Sequence, residues 1–369
     1  MRTPRTFAVA LAAVYATSCA GGAVDLSRPV RFDPDAPIPD ELSDLNLFGY
    51  DGAGGFTYND RIAEYDLNTP LFTDYALKSR AIYLPPGTTA GYDEDRVLDF
   101  PVGTILMKSF LFAADYRQPD KDLTLVETRL LIRHDSEWRA FPYIWDADQL
   151  DATLSPGGGV RQVPFLDALG DPHVSSYLVP ARNQCQTCHQ RREDRAATSE
   201  LTPLGPKARN LNRDHDYAGA IGVVNQLQHF AERGLLTGAP AAQTVPQAYR
   251  FDEIEASGVT DLSYAELDRA ARSYLDVNCG HCHHAQGRGQ TSSLFLNLDN
   301  TQDLHLRSCD SGPIIPGHAD ASSLIFRVET EQLGSMMPRF GRSVTHQRGV
   351  EMLRAWIDRM PPGGCEPAP

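Results

Sequence analysis

The sequence predicts an α+β, multidomain chain in which a β-rich domain is followed by an all-α one. Three observations carry this. At 369 residues the chain is too long for one domain of about 150 residues. Its composition, 41% hydrophobic and 22% charged, is that of a globular protein rather than a membrane bundle or a disordered chain. The third is a change of periodicity: alternating apolar runs dominate the first half, helical spacing the last hundred residues. The formal net charge of −14 argues against nucleic acid and anionic membrane surfaces as partners, and suits steering toward a basic protein.

Residues 1–18 read as a signal peptide, with Arg2 and Arg5 ahead of a short apolar run from Phe7 to Ala16. Two outcomes stay open at its end: lipidation at Cys19, which follows the small residues Ala16-Thr17-Ser18, or secretory cleavage near Ala20. Either places the mature chain outside the cytoplasm, in the periplasm or anchored to a bacterial membrane through an N-terminal lipid. No later apolar run approaches the ~20 residues of a membrane-spanning helix. Residues 19–60, rich in Pro, Asp and Gly, read as a tether and irregular lead-in.

Residues 61–237 form the expected β-rich domain, with strands at Ser79–Leu84, Thr104–Phe112, Thr124–Arg133 and Trp138–Trp145. A helix is expected over Tyr217–Leu236, stopping near Gly234. Residues 238–260 read as a linker. In the last domain, 261–369, Ser263 and Glu266 make a capping box. Leu267, Ala271, Tyr274 and Leu275 then keep helical spacing, and Val350, Leu353 and Ile357 mark a terminal helix ending before Pro361-Pro362.

Two pentapeptides carry chemistry: CQTCH, Cys185 to His189, and CGHCH, Cys279 to His283. Two thiols three residues apart, followed at once by an imidazole, are what covalent c-type haem attachment requires. The thiols add to the vinyl groups and the histidine reaches the iron. A zinc site would need the two Cys-x-x-Cys pairs to meet in space, and their separation in sequence makes a compact ribbon unexpected. A thioredoxin-like pair does not call for the histidine, twice over. The expectation is two covalently bound c-type haems, with Cys185, Cys188, Cys279 and Cys282 as attachment points and His189 and His283 as iron ligands. The remaining pair, Cys309 and Cys365, shares the last domain and an oxidising compartment, and is expected to form a disulfide.

Helix, haem motif, a Met-Pro loop and a terminal helix, over about 261–360, resemble class I cytochrome c. The resemblance implies a methionine sixth ligand before the last helix, Met337, which precedes Pro338, with Met336 as the alternative. His281 and His284 read as neighbours of the motif rather than ligands. In the first domain, Lys108 interrupts the apolar strand TILMKSFLF on the face of Leu106, Phe110 and Phe112. One reading is a sheet-edge lysine paired with a carboxylate such as Glu127. The other follows from the segments LFTDYALKSRAIYLPPG, FPVGTILMK and VETRLLIR, Trp138 and CQTCH. Together, over roughly 69–204, they resemble the β-sheet cytochromes c-prime-beta and the lysine-cross-linked cytochromes that oxidise hydroxylamine. That resemblance implies a place for Lys108 in the pocket of haem one, opposite His189, or in a cross-link to the haem; an insertion near Gln149–Val179 departs from the pattern. As a whole the chain resembles a family of exported dihaem c-type cytochromes.

Two functions compete. The first is electron transfer, from haem one through haem two to a redox partner protein. The second is a haem oxidoreductase acting on a small nitrogen or oxygen species at haem one, with haem two as electron exit. A dihaem peroxidase would have two helical domains, and a gas sensor an output domain. His215, His229 and Met107 are the candidate sixth ligands of haem one, while His134, His173, His305, His318 and His346 read as ordinary polar residues.

Overall fold

Short runs of β-branched and aromatic residues do form the strands, and they assemble into one antiparallel sheet. The structure is a computed structural model describing residues 24–167, 170–191, 200–217, 219, 221–289, 294–298 and 313–361. It is a mixed α/β chain with a β-rich region and several helices. A hairpin of β1 (Phe48–Tyr50) and β2 (Phe56–Tyr58) leads into the sheet, whose order is β3-β4-β6-β7-β8-β9. These strands are Ile62–Glu64, Leu77–Tyr83, Ile105–Ala113, Leu123–Arg133, Trp138–Trp145 and Ala152–Leu154; β5 is Ala90–Gly91. The four expected strands are therefore present, each within two residues at its ends. The residues after Gln149 add a second hairpin, β10 (Gly159–Leu166) with β11 (Pro172–Val179).

Alternation along β6 sorts its residues onto two faces. Ile105, Met107 and Leu111 enter a core closed from outside by Leu42, Leu45, Leu47 and Phe48. The lead-in is thus not an irregular tether throughout: from Leu42 its apolar residues cover one face of the sheet. On the other face, Leu106 joins a cluster with Trp138, Leu211, Leu227 and Phe230. Phe110 and Phe112 join a second with Val163, Tyr177 and Val179 of the β10–β11 hairpin. Lys108 falls between those two clusters.

The helices are α1 (Gln186–His189), α2 (Ala208–Leu211), α3 (Gln226–Glu232), α4 (Phe251–Ser257), α5 (Tyr264–Leu275), α6 (Ser323–Glu329) and α7 (Gln347–Arg359). The long helix expected over Tyr217–Leu236 shrinks to α3. Before it, Asp214–Asp216 pairs with Val223–Asn225 in a hairpin whose Gly219 and Gly222 take positive φ. Asn225 then caps α3, its side-chain oxygen accepting from the Leu227 and Gln228 N–H groups. The expected linker also differs, since Val245 and Ala248 are buried and α4 lies within it, packing Phe251 and Ile254 against α5 and α7. The Ser263–Glu266 capping box forms as expected, and α7 buries Val350, Leu353 and Ile357.

The sheet region and the helices meet along the segment after Thr69. The Phe72 N–H donates to Asn278 Oδ1 (2.8 Å), and its ring stacks on His346 at 4.1 Å. Asp74, buried and at φ 45°, accepts from the Ser343 N–H (2.6 Å), the Ser343 hydroxyl (2.7 Å) and the Val344 N–H (3.1 Å). This carboxylate pins the loop following Met336 and Met337 to the sheet region. Asp74→Ala removes all three bonds and puts a residue less tolerant of positive φ in its place. It should cost about 2–3 kcal/mol in urea unfolding; a loss below ~0.5 kcal/mol would show that the seam is held elsewhere.

Candidate functional site

The two cysteine motifs meet. Cys185 sits at the N-cap of α1, which carries the rest of CQTCH one 3-10 turn after the β10–β11 hairpin, and CGHCH starts where α5 widens over Asp276–Gly280. The Cys282 thiol lies 3.5 Å from the Thr187 carbonyl oxygen, and Cys282 and His281 stand close enough to Cys188 to shift its titration. On either side, Lys207 pairs with Asp276 (3.2 Å) and Arg288 Nε donates to Gln190 Oε1 (2.6 Å). This corrects the argument that separation in sequence keeps the motifs apart: the fold brings Cys188, Cys282 and His281 together. Among the described residues, however, no three His, Cys, Asp or Glu side chains converge as a metal-binding group.

A cavity of about 470 Å3 opens against this junction, within the ~300–1,000 Å3 usual for small-molecule and cofactor sites. Cys185, Cys188 and His189 form one wall, with His281 and His284 beside them. The inner face of the sheet forms another. His189 Nδ1 lies 2.8 Å from the Thr202 carbonyl oxygen, so Nδ1 carries the proton and Nε2 is the free, basic nitrogen. Burial drives the His189 pKa down to about 4, keeping the ring neutral, the form that binds a metal. His283 repeats the pattern: its ring bonds the Leu294 backbone, and burial lowers its pKa.

The thiols differ in their surroundings. Burial pushes Cys279 up to about 12, and Cys185 is raised for the same reason. Cys188 is held down, first by the hydrogen bond from Cys282 and then by that from His281, whose Nδ1 donates to the Val277 carbonyl oxygen at 3.1 Å. His281 therefore has a place in the junction that its position in the motif did not suggest.

Lys108 lines the cavity from β6, the third strand of six, so it is not at a sheet edge. Glu127 is not its partner. That carboxylate is fully buried, takes Arg129 through two hydrogen bonds (2.5 and 2.8 Å) and accepts from the Tyr177 hydroxyl (2.9 Å). In cross-strand register Lys108 stands between Arg80 on β4 and Arg129 on β7, which also face the cavity. Arg80 pairs with Asp66 at 2.8 Å. Among the described residues, Lys108 contacts the Phe110 ring, 4.9 Å from Nζ, and has no hydrogen-bond or ion-pair partner. Its pKa falls well below the ordinary value, chiefly from burial and then from repulsion by Arg80, Lys78 and Arg129. Arg80 and Arg129 escaped the sequence reading, although the alternation in LKSR and VETR puts them on the face of Lys108.

Other expected residues fall elsewhere. The Met107 side chain packs in the core on the opposite face of β6, and His215 and His229 gather around Tyr217. His215 and His229 do not line the cavity; Met107 borders it, although its side chain belongs to the core on the opposite face. Met336 is buried and Met337 half-buried; the Met337 N–H donates to the Arg327 carbonyl (2.8 Å) and its own carbonyl accepts from Arg342 Nε (3.1 Å). His173 pairs with Asp167 and His346 with Glu255, both at 2.9 Å. Cys19 and the signal peptide, His305, and the Cys309–Cys365 pair lie outside the described residues.

Because Lys108 is harder to protonate in the folded chain than in the unfolded one, it penalises folding once the pH drops below its ordinary value of 10.5. The penalty is complete below the lowered folded pKa. Lys108→Met should therefore raise the melting temperature at pH 6, with the gain shrinking toward pH 10.5. A gain that grows with pH would contradict this environment. Compared with known proteins, the chain matches no family model, no curated protein and no solved structure.

Proposed function

We propose that the chain is an exported dihaem c-type cytochrome that carries out electron transfer, with a β-rich haem domain followed by a class I cytochrome c-like domain. The observation that carries this reading is that two Cys-x-x-Cys-His motifs, each with its histidine held by a backbone carbonyl, lie against one another beside a cavity. Covalently bound haem supplies one-electron redox chemistry. The chain's residues do the rest. Cys185 and Cys188 anchor one group and Cys279 and Cys282 the other. Thr202 and Leu294 fix the tautomer of His189 and His283, so that the second ring nitrogen is presented to the iron. The apolar side chains Leu71, Leu106 and Leu131 on the cavity wall exclude water from the first site. The contact of Cys188 with Cys282 and His281 keeps the two attachment points adjacent, which favours passing electrons from one site to the other and on to a redox partner protein.

A second reading, a haem oxidoreductase acting on a small nitrogen or oxygen species at the first site, is favoured by Lys108. An ammonium with no carboxylate partner among the described residues, on the wall of a cavity that a free imidazole nitrogen also lines, suits a reacting pocket better than a sealed electron carrier.

Mass spectrometry of the chain matured with c-type attachment machinery should show two haem additions, with Cys185→Ala and Cys279→Ala each disturbing one site. A mature mass without haem would end the proposal. Soft thioether ligation favours ferrous iron. Met337→Ala should therefore abolish the sulfur-to-iron charge-transfer band and lower the potential of the second site, while Met336→Ala leaves both in place. The opposite pattern assigns the ligand to Met336.

A further inference from the structure

The cavity is cationic in an acidic protein. Arg80, Arg96, Lys108, Arg129 and Lys207 border it against the single carboxylate of Asp276, although the chain as a whole carries a formal charge of −14. Most of this charge is matched: Arg80 by Asp66, Arg96 by Asp93, Arg129 by Glu127 and Lys207 by Asp276. Lys108 has no hydrogen-bond or ion-pair partner among the described residues. It stands at the centre of a three-cation row, on an interior strand, with apolar clusters to both sides. An ammonium so placed is costly to keep unless a counter-charge can reach it, and the open side of Lys108 is the cavity.

We propose that the cavity binds a small oxyanion, of the size and charge of nitrite or formate, on Lys108 between Arg80 and Arg129. The anion accepts a charge-assisted hydrogen bond from Lys108 Nζ. The flanking guanidiniums, held in place by Asp66 and Glu127, add positive potential without themselves having to move. This inference rests on the second reading above and narrows its substrate class to anions.

Calorimetric titration of the full-length, matured chain with sodium nitrite, and separately with sodium formate, at constant ionic strength tests it. Saturable one-site binding is expected, at least tenfold weaker in Lys108→Gln and within about threefold of the parent in Lys108→Arg. Absence of saturable binding, or equal affinity in Lys108→Gln, would overturn the proposal and leave the cations to the cofactor's own carboxylates. Haem content is measured on the same samples by mass. A chain that binds the anion yet carries no haem would sink the haem reading and leave the anion site standing.

Discussion

Three cations stand side by side across β4, β6 and β7 between two apolar clusters, with Lys78 and Glu127 on the same sheet face, and much of the surrounding structure answers to them. Leaving such charges buried and unmatched costs several kcal/mol each, by order of magnitude. Asp66 answers Arg80 from the loop after β3, and Glu127 answers Arg129 from two residues away on its own strand. The β10–β11 hairpin contributes the Tyr177 hydroxyl to Glu127 and its apolar side chains to Phe110 and Phe112. What stays unmatched among the described residues, Lys108, lines the cavity. The cavity is thus a consequence of where the charges sit, and CQTCH follows directly on the hairpin that shields them.

The junction with the helical region depends on a different economy of bonds. Backbone-to-side-chain contacts dominate there: Asn278 takes the Phe72 N–H, and Asp74 takes the N–H groups of Ser343 and Val344. Buried polar atoms that find partners only across the junction fix the relative placement of the two regions, because losing register would leave them unpaired. That placement presses Cys282 against Thr187 and Cys188, and puts His281 between the motifs. A site assembled from both regions is therefore built into the packing of either one.

How legible this was in the sequence depends on the range of the interactions. The strands around Lys108 and Trp138 were readable because alternation is a local property, and Ser263-x-x-Glu266 announced α5 through a local cap. The hairpin before α3 was misread because Ile221, Val223, Val224 and Leu227 mimic helical spacing, while the turn is decided by Gly219 and Gly222. The cationic row was only half seen: Lys108 stood out in TILMKSFLF, but pairing it with Arg80 and Arg129 needs the strand register. The meeting of the motifs was beyond sequence reasoning. It rests on long-range contacts such as Asp74 with Ser343, and loop length alone pointed the wrong way.

Metal analysis of the exported chain after denaturing chromatography tests the central claim most directly, since only a covalently attached group survives unfolding with the polypeptide. Two irons per chain, co-eluting with the unfolded protein and both lost when Cys185, Cys188, Cys279 and Cys282 are replaced by alanine, is the predicted result. Protein that elutes without iron, or that carries zinc in its native state through the same cysteines, would contradict it.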